Sequence, residues 1–420
     1  MYSSRSGFVK RFRAVVALAV FIPLTAFAGG LSNSDQSASV SGVSNAGSVA
    51  NPENASTIFF NPAGMSQLSG TNISLGAIVF EIDAVGRDSQ TSATRANGDP
   101  VVGDGGGDHV KTFAVPNAYL THEVNDWLDV GLGVYVPYGL GFDYGDAFAG
   151  RYIGDEIELV SYGVSPSFAV NSGEGFSLGG SINVLYADAE QRNPVDFSGI
   201  ESRFSLPRGT LNDGYATLEG DDVALEFTVG LLWQATPETS LGLAARTGTE
   251  FNLKGTGTIN NFPTLSASGL TQTTVSEQIE VPITIPQSLS VGLAHQWSDT
   301  LELLAGATWA KWSDASALSV VSREKTPAAF PAEQPSEEQV QSWKDTWQWR
   351  VGAIWQVAPT WSLKAGYLFD ESPVTIETRS PHESFMRAIF PSIIRRRILC
   401  TGRLHSKAST TWCRGQLACS

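Results

Sequence analysis

From residue 72 onward the chain repeatedly alternates apolar with polar or small positions. The pattern is clearest at 222–234, where Val223, Leu225, Phe227, Val229, Leu231 and Trp233 share one parity. It returns at 347–357 as Trp347, Trp349, Val351, Ala353, Trp355 and Val357, and at 361–369 as Trp361, Leu363, Ala365, Tyr367 and Phe369. It begins at 73–82 with Ile73, Leu75, Ala77 and Val79. Successive strand side chains point to opposite faces, so a period of two predicts strands with one apolar side. Runs of 9–13 residues match tilted strands that cross a bilayer.

Eleven such segments are predicted, near 72–83, 111–122, 127–137, 157–170, 176–188, 222–235, 239–252, 277–296, 300–312, 344–357 and 360–370. Short turns fall at 123–126, 171–175, 236–238, 297–299 and 358–359, and long loops at 84–110, 138–156, 189–221, 253–276 and 313–343. Short and long connections alternate throughout. A soluble sandwich has no reason to collect its short turns at one end, whereas a transmembrane meander has short periplasmic turns and long outer loops. Trp127, Trp233, Trp297, Trp355 and Trp361 sit within about three residues of a short turn, where an interfacial aromatic girdle belongs.

The start of the chain has a different text. Arg5, Lys10, Arg11 and Arg13 precede a short apolar run, Ala14 to Leu24, and Ala26-Phe27-Ala28 fits a cleavage site. Residues 1–28 are therefore expected to be a secretory signal. No later run of 18 apolar residues occurs, which excludes helical spans. Between signal and first strand lies Asn51-Pro-Glu-Asn-Ala-Ser-Thr-Ile-Phe-Phe-Asn-Pro-Ala-Gly64. Two Asn-Pro pairs and a Gly break any regular element, yet Ile58, Phe59 and Phe60 need a surface to bury against. Asn54 and Ser56 read as caps. An ordered plug over 29–70 is expected, surrounded by a barrel over 71–378.

Charge and chemistry narrow the functions. Of a net charge of −15, residues 1–28 contribute +4 and residues 379–420 +7, leaving −26 for 29–378. So acidic a body is a poor ligand for nucleic acid. All three cysteines (Cys400, Cys413, Cys419) lie in the basic tail, so the body has no disulfide framework or cysteine metal site. The five histidines show no paired metal spacing, and no cofactor is called for. Gly103-Asp-Gly-Gly-Gly-Asp108 has no helix after it and is no phosphate loop; a flexible, solvated loop is expected, with weak calcium binding the lesser alternative.

Several short stretches resemble one family. Asn61-Pro62-Ala63 after a Ser/Gly/Ala-rich leader, Tyr138-Gly139-Leu140 after the third strand, Phe251-Asn-Leu-Lys-Gly255, Trp309-Ala-Lys-Trp312 and Phe369-Asp-Glu-Ser-Pro373 are similar, in order and spacing, to the FadL-type long-chain fatty acid transporters of Gram-negative outer membranes. The resemblance spans about residues 38–380. It implies a 14-stranded antiparallel transmembrane β-barrel closed by an N-terminal hatch that carries Asn61, Pro62, Ala63 and Gly64. It also implies passive inward movement of hydrophobic small molecules, fatty acids or hydrocarbons, with a monomer in outer-membrane lipid and no enzymatic step.

The third strand meets Pro137-Tyr138-Gly139. Pro lacks a donor and Gly weakens a ladder, so pairing is expected to fail there. In the family a kink in strand three opens the wall sideways, and Gly139 matches it by its Tyr-Gly-Leu context. The following loop is apolar, with Leu140, Phe142, Tyr144 and Phe148, as a docking groove would be; loop packing is the alternative. A general porin for polar solutes and an outer-membrane lipase are the competing functions. Finally, a barrel with both ends in the periplasm needs an even strand count, and eleven is odd. Beyond about 378–385 the alternation stops, Arg395-Arg-Arg397 and the cysteines follow, and this tail is expected to be out-of-frame text that leaves the wall unclosed.

Overall fold

The computed structural model describes residues 32–80, 82–83, 92–152, 154–266, 269–315, 320–324, 329, 343–373, 395–397, 399–403, 410–412 and 416–418. The expected signal sequence and the 378–379 boundary lie outside them. The strands, in chain order, are β1 Thr71–Phe80, β2 Ile82–Asp83, β3 Phe113–Asn125, β4 Leu128–Tyr135, β5 Gly139–Asp143, β6 Glu156–Asn171 and β7 Phe176–Val195. Next come β8 Gly214–Thr236, β9 Thr239–Arg246, β10 Thr249–Ser266, β11 Gly269–Ile285, β12 Ser288–Ser298 and β13 Leu301–Ala310. The last are β14 Val321–Ser322, β15 Thr346–Ala358, β16 Trp361–Asp370, β17 Arg395–Arg397, β18 Leu399–Arg403, β19 Thr410–Trp412 and β20 Gln416–Ala418.

Pairing is antiparallel along the wall, from β1 through β3, β4, β6, β7 and β8. There β8 pairs with β9 at one end and with β10 at the other. The sheet goes on through β12, β13, β15 and β16. In the basic tail, β18 pairs with β16 and β19 with β18. Counting β4 with β5, β9 with β10 and β11 with β12 as collinear halves, the eleven alternating segments are the eleven long strands. This is a transmembrane antiparallel β-barrel. Its apolar parity faces outward: Ile73, Leu75, Val79, the Val223–Trp233 series and Trp347, Trp349 and Val351 are all exposed, as lipid-facing residues must be.

Two expected loops are corrected. Residues 189–195 and 214–221 of the first and nearly all of 253–276 are strand, because β7 and β8 pair out to Val195↔Gly214 and β10 and β11 to Ser266↔Gly269. Here one face packs only at scattered positions such as Ala216, Leu253, Ile259 and Ile279, with Thr, Ser and Asn between them, so the apolar alternation that marks a strand is too sparse to read. The Gly103–Asp108 stretch is solvated, with Gly103, Asp104, Gly107 and Asp108 exposed, but tied down. Asp104 N donates to Ala147 O at 2.9 Å and Ala149 N to Asp104 O at 3.0 Å.

The N-terminal segment packs against the inner face of the wall. It comprises a short helix Ala38–Ser41, a second one Thr57–Phe60 and a 3-10 turn Pro62–Gln67. Asn61 explains its own place in Asn-Pro-Ala-Gly. Its Oδ1 accepts from Ala63 N, capping the turn, with Pro62 at the first position, where a missing N–H costs nothing. Its Nδ2 donates to Val49 O at 2.7 Å and to Leu231 O of the wall at 3.1 Å. Asn54 Oδ1 accepts from Ser56 N, as expected of a cap, but Ser56 makes no side-chain cap.

Inward-facing glycines give this segment its seat. An added Cβ on Gly242 would stand 1.8 Å from Val49 O, one on Gly230 1.9 Å from Asn61 Oδ1, and one on Gly366 2.1 Å from the Val43 carbonyl carbon. These glycines are ladder partners of others: Gly242 of Gly292, Gly230 of Gly179, and Gly366 of Gly352. Backbone therefore lies on backbone around much of the lumen. We predict that Gly242→Ala unseats the segment while the wall still forms. Overpacking of about 1–3 kcal/mol shifts the seated ratio by roughly 5- to 150-fold, read as faster hydrogen exchange at the Ala50 and Asn51 amides, which donate to Gly47 O.

Candidate functional site

Among the described residues two long ladders of the wall are interrupted: β8 loses its neighbour between Thr228↔Arg246 and Asp221↔Lys254, and β4 parts from β3. The β3–β4 pairing runs from Asn125↔Leu128 to Ala118↔Val134 and stops. Beyond it Phe113–Asn117 pair with β1, while Gly139–Asp143 turn away and pair with β6. Among the described residues only the isolated bridge Val110↔Phe142 spans the gap. The residues at the break are Val136, Pro137 and Tyr138, as the sequence suggests: Pro137 has no N–H to offer a neighbour.

Freed backbone groups here need other partners. Ser161 serves Tyr138 locally: its Oγ accepts from Tyr138 N at 3.0 Å, and its N–H donates to Tyr138 O at 3.0 Å. The other partners come from the N-terminal segment. Asn33 N donates to Pro137 O at 2.8 Å, Asn33 Nδ2 to Val136 O at 3.2 Å, and Gln36 Nε2 to Val136 O at 2.6 Å. Ser32 forms an antiparallel bridge with Tyr138. Asn33 and Gln36 were not singled out in the sequence, because two amides in a Ser/Asn-rich leader carry no pattern.

Behind the break the inner wall is apolar in part, beside the buried polar Glu226 and Asn183. Tyr138 packs in a buried cluster with Leu159, Leu185, Ala224, Phe251, Leu253 and Ile285. Further out, Phe142 and Tyr144 are buried with Trp312 and Trp343, and Phe148 packs at their edge. Tyr144 stacks between His109, with centroids 4.2 Å apart, and Phe148, 4.4 Å apart. Leu140 pairs with Leu159 through its backbone. The structure thus brings the predicted loop aromatics together as a closed cluster. Ile58 and Phe59 are buried below with Met65, Tyr119 and Tyr135, and Phe60 lies at the margin. Gly64 has no room for a side chain, since a Cβ would stand 2.2 Å from Thr57 Oγ1; Pro62 and Ala63 are buried beside it.

No described histidine faces a serine nucleophile. His122 Nδ1 lies 2.9 Å from Thr71 Oγ1, His295 Nδ1 2.9 Å from Thr239 Oγ1, and His109 Nδ1 3.2 Å from Gly107 O. The outer loops are clamped by charge. Arg95 is paired with both Asp196 and Asp213, and Tyr152 Oη donates to Asp213 at 2.5 Å. These contacts tie three outer connections into one cap above the aromatic cluster.

The family model described as outer membrane protein transport protein (OMPP1/FadL/TodX) matches residues 19–382. An outer membrane protein of Neisseria meningitidis serogroup B is 29% identical over 384 residues, 84% of this chain and 79% of its own. The long-chain fatty acid transport protein of Salmonella typhi is 24% identical over 389 residues, 88% of this chain and 84% of its own. The crystal structure of a Pseudomonas aeruginosa FadL homologue has the same fold, with TM-score 0.75 at 20% identity over 92% of this chain and 89% of that one.

The cap carries a pH dependence. Burial, with Asp146, Asp143 and Glu156 nearby, pushes the Asp155 carboxyl up from 3.8 to about 6. Its backbone oxygen accepts from Tyr144 N at 2.9 Å, so its ionisation bears on the aromatic cluster. A raised carboxyl pKa means that closure is favoured below the ordinary value and weakens as pH rises through about 6. The Tyr144 amide should accordingly lose protection against hydrogen exchange between about pH 4 and 6 and change little above that, after correction for intrinsic rates. In Asp155→Asn, which stays neutral, that protection should be higher at pH 7.5 and flat with pH.

Proposed function

Because the chain belongs to the outer membrane transport protein family OMPP1/FadL/TodX, we propose that it passes long-chain fatty acids or hydrocarbons from the cell exterior sideways into the outer membrane. As a member it is an outer-membrane transporter of hydrophobic compounds in a Gram-negative bacterium. The finer reading has three parts. Cargo docks among the outer aromatics Phe142, Tyr144 and Phe148, with Leu140 in the same segment. Residues 29–70 act as the hatch that seals the lumen of a barrel formed by 71–378. The exit is the wall break at Pro137, Tyr138 and Gly139.

The observation that carries this reading is the interrupted ladder beyond Ala118↔Val134, with an apolar cluster on its inner side. A gap in the wall with greasy lining suits a solute that prefers lipid to water. Fatty acid is the favoured cargo because the Salmonella typhi relative is named for it. A polar-solute porin fits poorly with a lumen where wall and N-terminal backbone meet at glycines. A lipase fits poorly with histidines whose rings face threonine hydroxyls or backbone. We read the protein as a passive transporter without an enzymatic step. We read it as a monomer in outer-membrane lipid.

Gly139 offers a clean test. An added Cβ there would meet only Leu159 O at 3.7 Å, ordinary contact, so a side chain can be placed in the gap without disturbing the fold. Uptake of a fluorescent long-chain fatty acid by cells carrying Gly139→Arg should fall to background while the barrel still inserts. Uptake at the parental rate would turn Pro137-Tyr138-Gly139 into an ordinary strand end.

A further inference from the structure

One buried carboxylate has no part in the path just described. Glu226 points inward from β8 and is 1% exposed. Its Oε2 accepts from Tyr138 Oη at 2.7 Å, its Oε1 accepts from Asn183 Nδ2 at 2.8 Å, and the same Oε1 lies 3.3 Å from Arg246 Nε. Arg246 looks the other way as well. Its Nη2 donates to Phe59 O at 2.8 Å, and its guanidinium lies 4.5 Å over the Phe59 ring. Four residues therefore form an unbroken chain from the wall break to the helix Thr57–Phe60: Tyr138, Glu226, Arg246 and Phe59.

Filling a lumen does not by itself call for such a chain. A charge taken out of water is costly unless it is paired and hydrogen-bonded. An apolar contact between β8 and the helix would have been simpler. What the ion pair adds is dependence, because each partner leaves the other buried and uncompensated when it moves. Resting on the reading of Tyr138 as part of the exit and of 29–70 as the hatch, we propose that Glu226 is a positioning residue that couples the two. When Tyr138 swings out of the break, Glu226 loses a donor and its hold on Arg246 weakens. Arg246 then no longer fixes the Phe59 carbonyl. The exit and the hatch helix loosen together, so cargo meets an open wall only when the hatch has also begun to move.

Hydrogen exchange on the full chain in lipid nanodiscs tests this. Tyr138→Phe removes one hydroxyl and leaves the ring. The helix Thr57–Phe60 is far from it in sequence, and its end is reported by the Asn61 amide, which donates to Thr57 O at 2.7 Å. Exchange there should rise about tenfold or more in Tyr138→Phe, as expected for loss of a hydrogen bond to a charged group. It should rise likewise in Glu226→Gln, while the Ala50 and Asn51 amides stay at parental rates. In Arg246→Lys, adding Tyr138→Phe should cause little further change. Parental exchange at Asn61 in both single variants would overturn the coupling, as would a uniform rise across the segment. Either result leaves the Gly139→Arg uptake test standing, so failure of the coupling and failure of the lateral exit are told apart.

Discussion

In lipid, a backbone N–H or C=O that leaves its ladder must find another partner or cost several kcal/mol. The rest of this barrel follows from where that rule is strained. At Val136 and Pro137 the third strand parts from β3, and the carbonyls set free are taken by Asn33 and Gln36. The N-terminal segment thus also serves the freed backbone of the wall. The proposed sideways exit would need only the removal of a few hydrogen bonds made by a different part of the chain, with no strand unfolding.

The seat of that segment is set by close approach. At Gly179, Gly242 and Gly366 of the wall, backbone atoms of Ala63, Val49 and Val43 come within reach that any Cβ would forbid. Asn61 links the two layers by bonding Val49 O and Leu231 O with one amide. On the opposite side Lys364 Nζ meets Glu53 Oε2 at 2.5 Å and Ser39 Oγ at 2.8 Å. Steric fit positions the segment and a small number of buried charges fix its register.

The strands were legible in the sequence because lipid on one side and a packed lumen on the other impose a strict period of two. Legibility ended where that contrast ended. Thr256, Thr258 and Thr264 of the outer hairpin carry no apolar alternation, so the sequence predicts a loop where the structure has the β10–β11 ladder. At the site, Pro137 and Gly139 announced the break through their own backbone limits, and Ile58 and Phe59 announced burial. The partners of those residues stayed hidden. Glu226 and Arg246 stand at inward parity among small and polar neighbours, a departure that could have been noticed. Nothing local relates them to Tyr138 or Phe59, which lie 88 and 187 residues away.

A filled lumen leaves the wall as the route for cargo, and ion conductance across a planar bilayer decides whether the lumen is filled. The intact chain should show no steady open level, whereas the chain lacking residues 35–60 should show a stable ohmic conductance. Equal conductance of the two would mean that the N-terminal segment does not seal the barrel, and the lateral route would lose its reason.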